Sequence, residues 1–339
     1  MQYTNLGGSG LIVSRLSFGA MTLGEGILAG ELKTHIGGAA AREMLAMARH
    51  AGINFIDTAD MYTSGQSEEI VGEAIKAERN HWVLSTKAGF RRGESPTERG
   101  LSYHALMQAA DASLKRLQTD VIDVYLLHIP DPWTPLEETA RALEDLTRAG
   151  KIRYAGYCNY PAWKAQKLLS TQRQAGYKPI ITSQMYYSLL GRDVENDHQA
   201  FLQDCGLGLM VWSPLASGFL SGKYTKETPM PADSRRAKFD FPPVDVALGY
   251  GIVDVLRAIA AQHTASVAQV SIAWLLARPW VSTVIVGANN LRQLEDNLGA
   301  MSIRLTSADL ASLDEVSMRP APYPQWMQAM GADAQIRLS

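Results

Sequence analysis

Cysteine is scarce in this chain: Cys158 and Cys205 are the only two. Two thiols cannot build a disulfide framework, and such sparing use suits a reducing compartment in which both stay free. Long apolar runs are missing as well. The most apolar stretch, residues 271–288, is broken by Arg278, Pro279 and Ser282, which argues against a membrane span. The N-terminus, MQYTNLGGSGLIVSRLSFG, has no basic region ahead of an apolar run, so it does not read as a secretion signal, and the expected compartment is the cytoplasm. Neither sign of charge dominates. With 32 basic and 34 acidic side chains the net charge is −2, too little positive field to hold phosphate backbones, so neither nucleic acid nor a membrane is an expected partner. The 7 histidines show neither HExxH nor paired Cys/His spacing, and no metal site is expected. No GxGxxG stands between a strand and a helix. GGSG at 7–10 reads as a turn, so a dinucleotide bound here would not use a Rossmann crevice.

What the chain does contain is a repeated alternation of short β-branched runs with longer amphipathic segments, the pattern of parallel strands joined by helical crossovers. Eight strands are predicted, at 16–21, 53–59, 82–88, 122–128, 152–158, 181–187, 208–214 and 282–288. Helices are predicted at 39–51, 67–78, 101–117, 135–149, 161–169, 193–204, 266–277 and 291–300. The expected fold is α/β, a single (β/α)₈ TIM barrel spanning 1–339. Ahead of the first strand, QYTNLGGSGLIVSRL reads as a hairpin turning at Gly7 and Gly8, able to plug the N-terminal mouth. Two segments break the rhythm: a Gly-rich loop from Gly24 to Gly38 and a Pro-rich, charged one from Gly222 to Val246. Both leave the C-terminal ends of strands, where a barrel carries its active site, so both are candidate lids. The Pro-rich, aromatic tail at 319–339 is expected to fold over the same mouth.

Four titratable residues converge on that rim. Asp57 ends strand two, Tyr62 follows it, Lys87 lies near the end of strand three and His128 ends strand four. A lysine beside a tyrosine lowers the phenol pKa, and an aspartate keeps that lysine charged and oriented. Carbonyl reduction needs a proton for the oxygen as hydride reaches the carbon, and a neighbouring histidine can orient the carbonyl and stabilise the developing charge. Any one of the four alone is more often a surface or ion-pair residue; together they are far more specific.

These residues resemble the aldo-keto reductase family. GINFIDTADMY looks like its signature around the catalytic Asp57 and Tyr62, STKAG carries the matching Lys87, and YLLHIPDPWTPLEET the matching His128. The likeness runs from about Leu6 to about Met318, and SEEIVGEAI and WSPLASGFLSGKY resemble the bacterial and channel-subunit-like branches. The resemblance implies an NAD(P)H-dependent reductase of aldehydes or ketones with Tyr62 as general acid. It implies a nicotinamide held by Cys158, Asn159 and Gln184 and stacked on Trp212, beside Gly19, Ala20, Met21 and Asp57. The pyrophosphate falls to Ser213, Pro214, Leu215, Ser217, Gly218 and Lys223, and the adenosine half to Gly287, Ala288, Asn289, Gln293, Asp296 and Asn297. Asn289 and Gln293 are neutral where many relatives carry a cation for the 2′-phosphate; NADP(H) remains the family expectation over NAD(H). Cys158 replaces a hydroxyl with a weaker hydrogen-bonding thiol, and reads equally as a buried small hydrophobe.

Two other readings stand beside the reductase. A strand-end lysine such as Lys87 also suits a Schiff-base lyase. A cofactor-loaded barrel can also serve as a redox-sensing binding module, as potassium channel β subunits do. The expected partner is a small-molecule carbonyl, in a monomer or homo-oligomer. Ile27, Trp133, Tyr187, Phe219 and Trp326, with Met21 and Phe239, suggest an aromatic pocket for hydrophobic carbonyls, or else cap the core.

Overall fold

The structure, a computed structural model, describes residues 1–29, 32–225 and 235–331. Parts of three expected lids, at 30–31, 226–234 and 332–339, lie outside the described residues. The chain opens with an antiparallel hairpin, β1 (Tyr3–Asn5) and β2 (Ile12–Ser14), as its turn residues predict. Next come β3 (Leu16–Gly19), a second antiparallel hairpin of β4 (Gly24–Ala29) and β5 (Leu32–Ile36), and helix α1 (Gly38–His50). Alternation then sets in: β6 (Phe55–Asp57), α2 (Gln66–Ile75), β7 (Val83–Ala88), α3 (Tyr103–Leu117), β8 (Ile122–Leu127) and α4 (Leu136–Arg148). It continues through β9 (Ile152–Cys158), α5 (Ala162–Gln174), β10 (Thr182–Tyr186), α6 (His198–Cys205) and β11 (Gly208–Trp212). A short α7 (Arg235–Lys238), then α8 (Val246–His263), α9 (Val267–Leu276), β12 (Val281–Val286), α10 (Leu291–Gly299), α11 (Ser307–Val316) and α12 (Gln325–Gly331) complete it.

Each of the eight predicted strands is present, and β3, β6, β7, β8, β9, β10, β11 and β12 close into one barrel in that order. Their pairings are all parallel. Two apolar layers follow. Leu6, Val13, Phe55, Val124, Leu126, Cys158 and Met210 fill the barrel interior, while helices pack a larger shell around the outer strand faces. The first hairpin contributes Leu6 and Val13 to the interior layer and ties its Gly8 N–H to the Gly206 carbonyl at 2.7 Å, so it does plug the N-terminal mouth.

Besides the short helices α7 and α12, three elements differ from the sequence expectation. The Gly24–Gly38 segment is a hairpin and not an irregular loop, its base buried at Leu23 and Ile36. Helix α8 carries apolar residues on nearly every face and glycines at 249 and 251, which hid its period; Gly249 is there because a Cβ would collide with the Phe219 ring. Helix α11 was legible in principle, since Thr306 and Asp309 form a capping box.

The plug turn is unforgiving. Gly7 has φ +60°, and a Cβ there would strike the Ile181 carbonyl and the Gly208 nitrogen. Gly7→Ala should lower stability by at least about 1–2 kcal/mol from the left-handed backbone alone. The test is the urea midpoint, with the m-value unchanged.

Candidate active site

Parallel pairing places the polar residues. Asp57 ends β6 in register with Ser85 on β7, and Lys87 sits two residues further along β7, on the same inward face. Lys87 is wholly buried. Its ammonium donates to Asp57 Oδ2 at 2.8 Å, to the Thr58 carbonyl at 2.6 Å and to Tyr62 Oη at 3.1 Å. Three acceptors use all three protons. The other oxygen of Asp57 accepts from Ser85 Oγ at 2.7 Å and from Gln184 Nε2 at 2.8 Å. Burial alone would lower the lysine pKa, but Asp57 and Tyr62 outweigh it and hold it above its ordinary value. A locked ammonium of this kind has no lone pair for a Schiff base, which counts against the lyase alternative.

Tyr62 leaves β6 on a turn of unusual backbone. Thr63, Ser64 and Gly65 all have positive φ, at 45°, 55° and 96°. For Thr and Ser this conformation costs about 1–2 kcal/mol each, and it persists only where the surroundings over-determine it. Burial raises the Tyr62 pKa above 10.0, with Lys87 pulling the other way. The sequence expectation of a lowered phenol pKa is therefore corrected: Lys87 acts in that direction, and desolvation is the larger effect. His128 follows β8, its N–H bonded to the Ala88 carbonyl at 2.8 Å. Desolvation first, and Lys87 second, push its pKa well below 6.5, so its imidazole is neutral near pH 7. The ring stands edge-on to Tyr62 at 5.9 Å and to Phe90 at 4.7 Å, and its Nδ1 is buried with no partner among the described residues.

Opposite this group, Asn159 (φ 59°) receives the Trp212 indole N–H at 3.1 Å and donates to the His128 carbonyl at 3.1 Å. After β11, Ser213, Ala216, Ser217 and Gly218 all have positive φ. Within that turn the N–H groups of Leu215 and Gly218 find no acceptor among the described residues, an arrangement suited to an anion. Lys223 Nζ would lie 3.3 Å from a Cβ at Gly218. At the end of β12, Asn297 donates to the Gly287 carbonyl at 3.2 Å and Gln293 accepts from the Asn289 N–H at 2.9 Å, so the two shape the 287–289 loop. Asp296 instead bonds Ser266 and Gln269, pinning α10 to α9. Exposed backbone donors, a nearby lysine, an indole and an amide make a fit for a dinucleotide lying from Asn159 to Gly287. Of the other residues expected to hold the cofactor, Gly19, Ala20, Pro214 and Ala288 are buried and Met21 is half-buried.

Several expected liners lie elsewhere. Tyr187 and Phe219 are fully buried: Tyr187 packs on Trp274 and Trp280 with its hydroxyl on Glu195, and Phe219 on Tyr224 and Tyr250. They are core aromatics, not pocket walls. Of the two readings of Cys158, its full burial in the interior layer agrees with that of a small hydrophobe. Ile27, Trp133 and Trp326 are exposed at 62%, 74% and 47%. The described tail does reach this face, through Arg319 to the Leu190 carbonyl and Gln325 to the Asn196 carbonyl. Sequence reasoning missed Ser85 and Phe90, both flanking Lys87, and Phe241, which stacks on Trp212 at 5.6 Å. It also missed Tyr186, which separates cavities of about 340 and 360 Å³. Neither cavity is lined by Tyr62 or His128. Among the described residues no cluster of His, Cys, Asp or Glu could hold a metal, and no helix is long and apolar enough to cross a membrane.

A closed parallel barrel with a buried Lys–Asp–Tyr–His group at its C-terminal rim defines a class of protein, and the comparisons agree. Residues 15–318 match the model of the Aldo/keto reductase family, and the chain belongs to that family. A rice (Oryza sativa subsp. japonica) protein named "Probable voltage-gated potassium channel subunit beta" is 38% identical over 314 residues, covering 89% of this chain and 92% of its own. An Arabidopsis thaliana protein of the same name is 36% identical over 341 residues, covering 96% and 99%.

One buried carboxylate beside the site carries a prediction. Among the described residues Asp60 has no hydrogen-bond partner for either oxygen; Arg92 Nε lies 3.5 Å away, and burial with Glu68 nearby raises its pKa from 3.8 to about 7. A carboxyl whose folded pKa is raised adds stability below its unfolded pKa and loses it as pH climbs through the folded one. Wild type should therefore lose stability relative to Asp60→Asn between pH 4 and pH 8, read from urea midpoints. Parallel pH curves for the two proteins would show that Asp60 does not titrate in this window.

Proposed function

We propose that this chain reduces aldehydes or ketones to alcohols with a nicotinamide dinucleotide, NADP(H) in preference to NAD(H), as a cytoplasmic enzyme. The observation that carries the reading is the enclosed chain of Asp57, Lys87 and Tyr62, joined at 2.8 and 3.1 Å, with neutral His128 beside the phenol. A bound nicotinamide supplies the hydride. Tyr62 Oη gives its proton to the carbonyl oxygen as negative charge gathers there, and Lys87, held charged by Asp57, stabilises the phenolate left behind. A neutral imidazole can still donate one N–H, so His128 orients the carbonyl without competing as an acid. Asn159 and Gln184 would hold the carboxamide, Trp212 the ring face, and the turn at 213–218 with Lys223 the pyrophosphate. Phe90, edge-on to His128, offers an apolar wall to the substrate, in keeping with hydrophobic carbonyls.

The names of the two relatives favour a second reading, a cofactor-loaded module that senses redox state and docks to a channel. The two are compatible, and turnover separates them. Tyr62→Phe should cut carbonyl-dependent NADPH consumption by about 10²–10⁴-fold while leaving cofactor affinity within about twofold. Full turnover in that variant would sink the acid assignment. With Tyr62 shifted above 10.0 and His128 below 6.5, kcat for reduction should stay level from pH 7 to pH 9. Quenching of tryptophan fluorescence on titration with NADPH and NADH measures the preference directly, because Trp212 lies in the proposed site.

A further inference from the structure

The second hairpin looks like a lid in the sequence, yet its base is bonded to the turn that carries Tyr62. Thr63, the residue after the phenol, is buried with φ 45°, ψ 45°. Its Oγ1 donates to the Leu23 carbonyl at 3.1 Å and meets Thr34 Oγ1 at 3.4 Å, reaching both ends of the hairpin base. Gly24, φ +124°, is packed so closely that a Cβ there would lie 2.7 Å from both Cβ and Cγ2 of Thr63. Two further bonds fasten the same edge: Gln66 Oε1 accepts from the Glu25 N–H at 3.0 Å, and Ser67 Oγ donates to the Ala20 carbonyl at 2.7 Å. A β-branched residue in the left-handed region is held there by its neighbours, and here the partners of the Thr63 side chain at Leu23, Gly24 and Thr34 belong to β4, β5 or the residues leading into them.

We infer that the β4–β5 hairpin is a positioning device for Tyr62, with Gly24, Thr34 and Thr63 as positioning residues that keep the phenol within reach of Lys87. Among the described residues no hydrogen bond joins the hairpin base to the side chain of Lys87 or His128; it acts through the backbone of Thr63. A displacement near 1 Å at a reacting group costs up to about 100-fold in rate, so the clamp matters even though it adds no chemistry. The inference rests on Tyr62 being the acid.

The test is a collision and its relief. Gly24→Ala drives a methyl into Thr63 and should lower kcat about tenfold or more, while the Kd for NADPH stays within about twofold. Adding Thr63→Ser removes the colliding Cγ2 and keeps the Oγ1 bond to Leu23, so the double variant should recover part of the lost kcat. A merely structural role would not give this recovery, since by itself the second change only takes packing away from a buried residue. Rates are taken per cofactor-binding site, so that loss of folded protein does not count. Should Gly24→Ala fail to fold, Thr63→Val replaces it: it keeps the shape, removes the bond to Leu23 and should lower kcat with NADPH affinity retained. Unchanged kcat in Gly24→Ala, or no recovery in the double variant, overturns the clamp, as does unchanged kcat in Thr63→Val. Tyr62→Phe run alongside separates the causes. If it is inactive while Gly24→Ala is fully active, only the clamp fails; if it is fully active, the acid assignment beneath it fails.

Discussion

The Lys87–Asp57 pair is sealed inside the barrel, and an enclosed pair of charges is stable only when each remaining proton and lone pair finds a partner. That demand organises the site. Thr58 and Tyr62 take the other two ammonium protons, while Ser85 and Gln184 satisfy the far carboxylate oxygen. Gln184 comes from β10, on the other side of the closed sheet from β6, so the pair is braced across the barrel and not only between neighbours. Tyr62 is thus one of three acceptors of a fixed cation. Its position follows from the lysine's need as much as from the turn that carries it.

The two ends of the barrel divide the work. At the N-terminal mouth the first hairpin fills the interior with Leu6 and Val13, leaving no space for a ligand. At the C-terminal mouth the backbone departs from regular structure, with positive φ at Thr63, Ser64, Asn159, Ser213, Ala216 and Ser217. Among the described non-glycine residues with positive φ, only Gln118 and Thr264, which cap α3 and α8, lie elsewhere, and strain concentrated on one face is what a rigid scaffold carrying a binding face should show.

Much of this was legible beforehand. Each barrel strand announced itself as a short β-branched run, because a strand buried on both faces has little room for polar residues. Asp57, Lys87 and His128 could be placed on one rim, since they fall at or just beyond the ends of such runs. Other features had no local signal. Ser85 looked like any strand serine until pairing set it beside Asp57, and Phe90 and Phe241 acquired roles only through the rings they meet. Tyr187 and Phe219 read as pocket walls because an aromatic near a strand end carries no mark of which side it faces.

By itself the sequence determined the order of elements, the parallel barrel and the identity of the four rim residues, since periodicity and strand ends are local properties of the chain. Only the tertiary structure decided how those residues are charged and held. The Tyr62 pKa rises because burial outweighs Lys87, that of His128 falls because burial and Lys87 act together, and burial is a property of everything packed around a group. The same holds for the hairpin at Gly24. Its glycines suggested looseness, while contact with Thr63 makes the first of them a site of close packing.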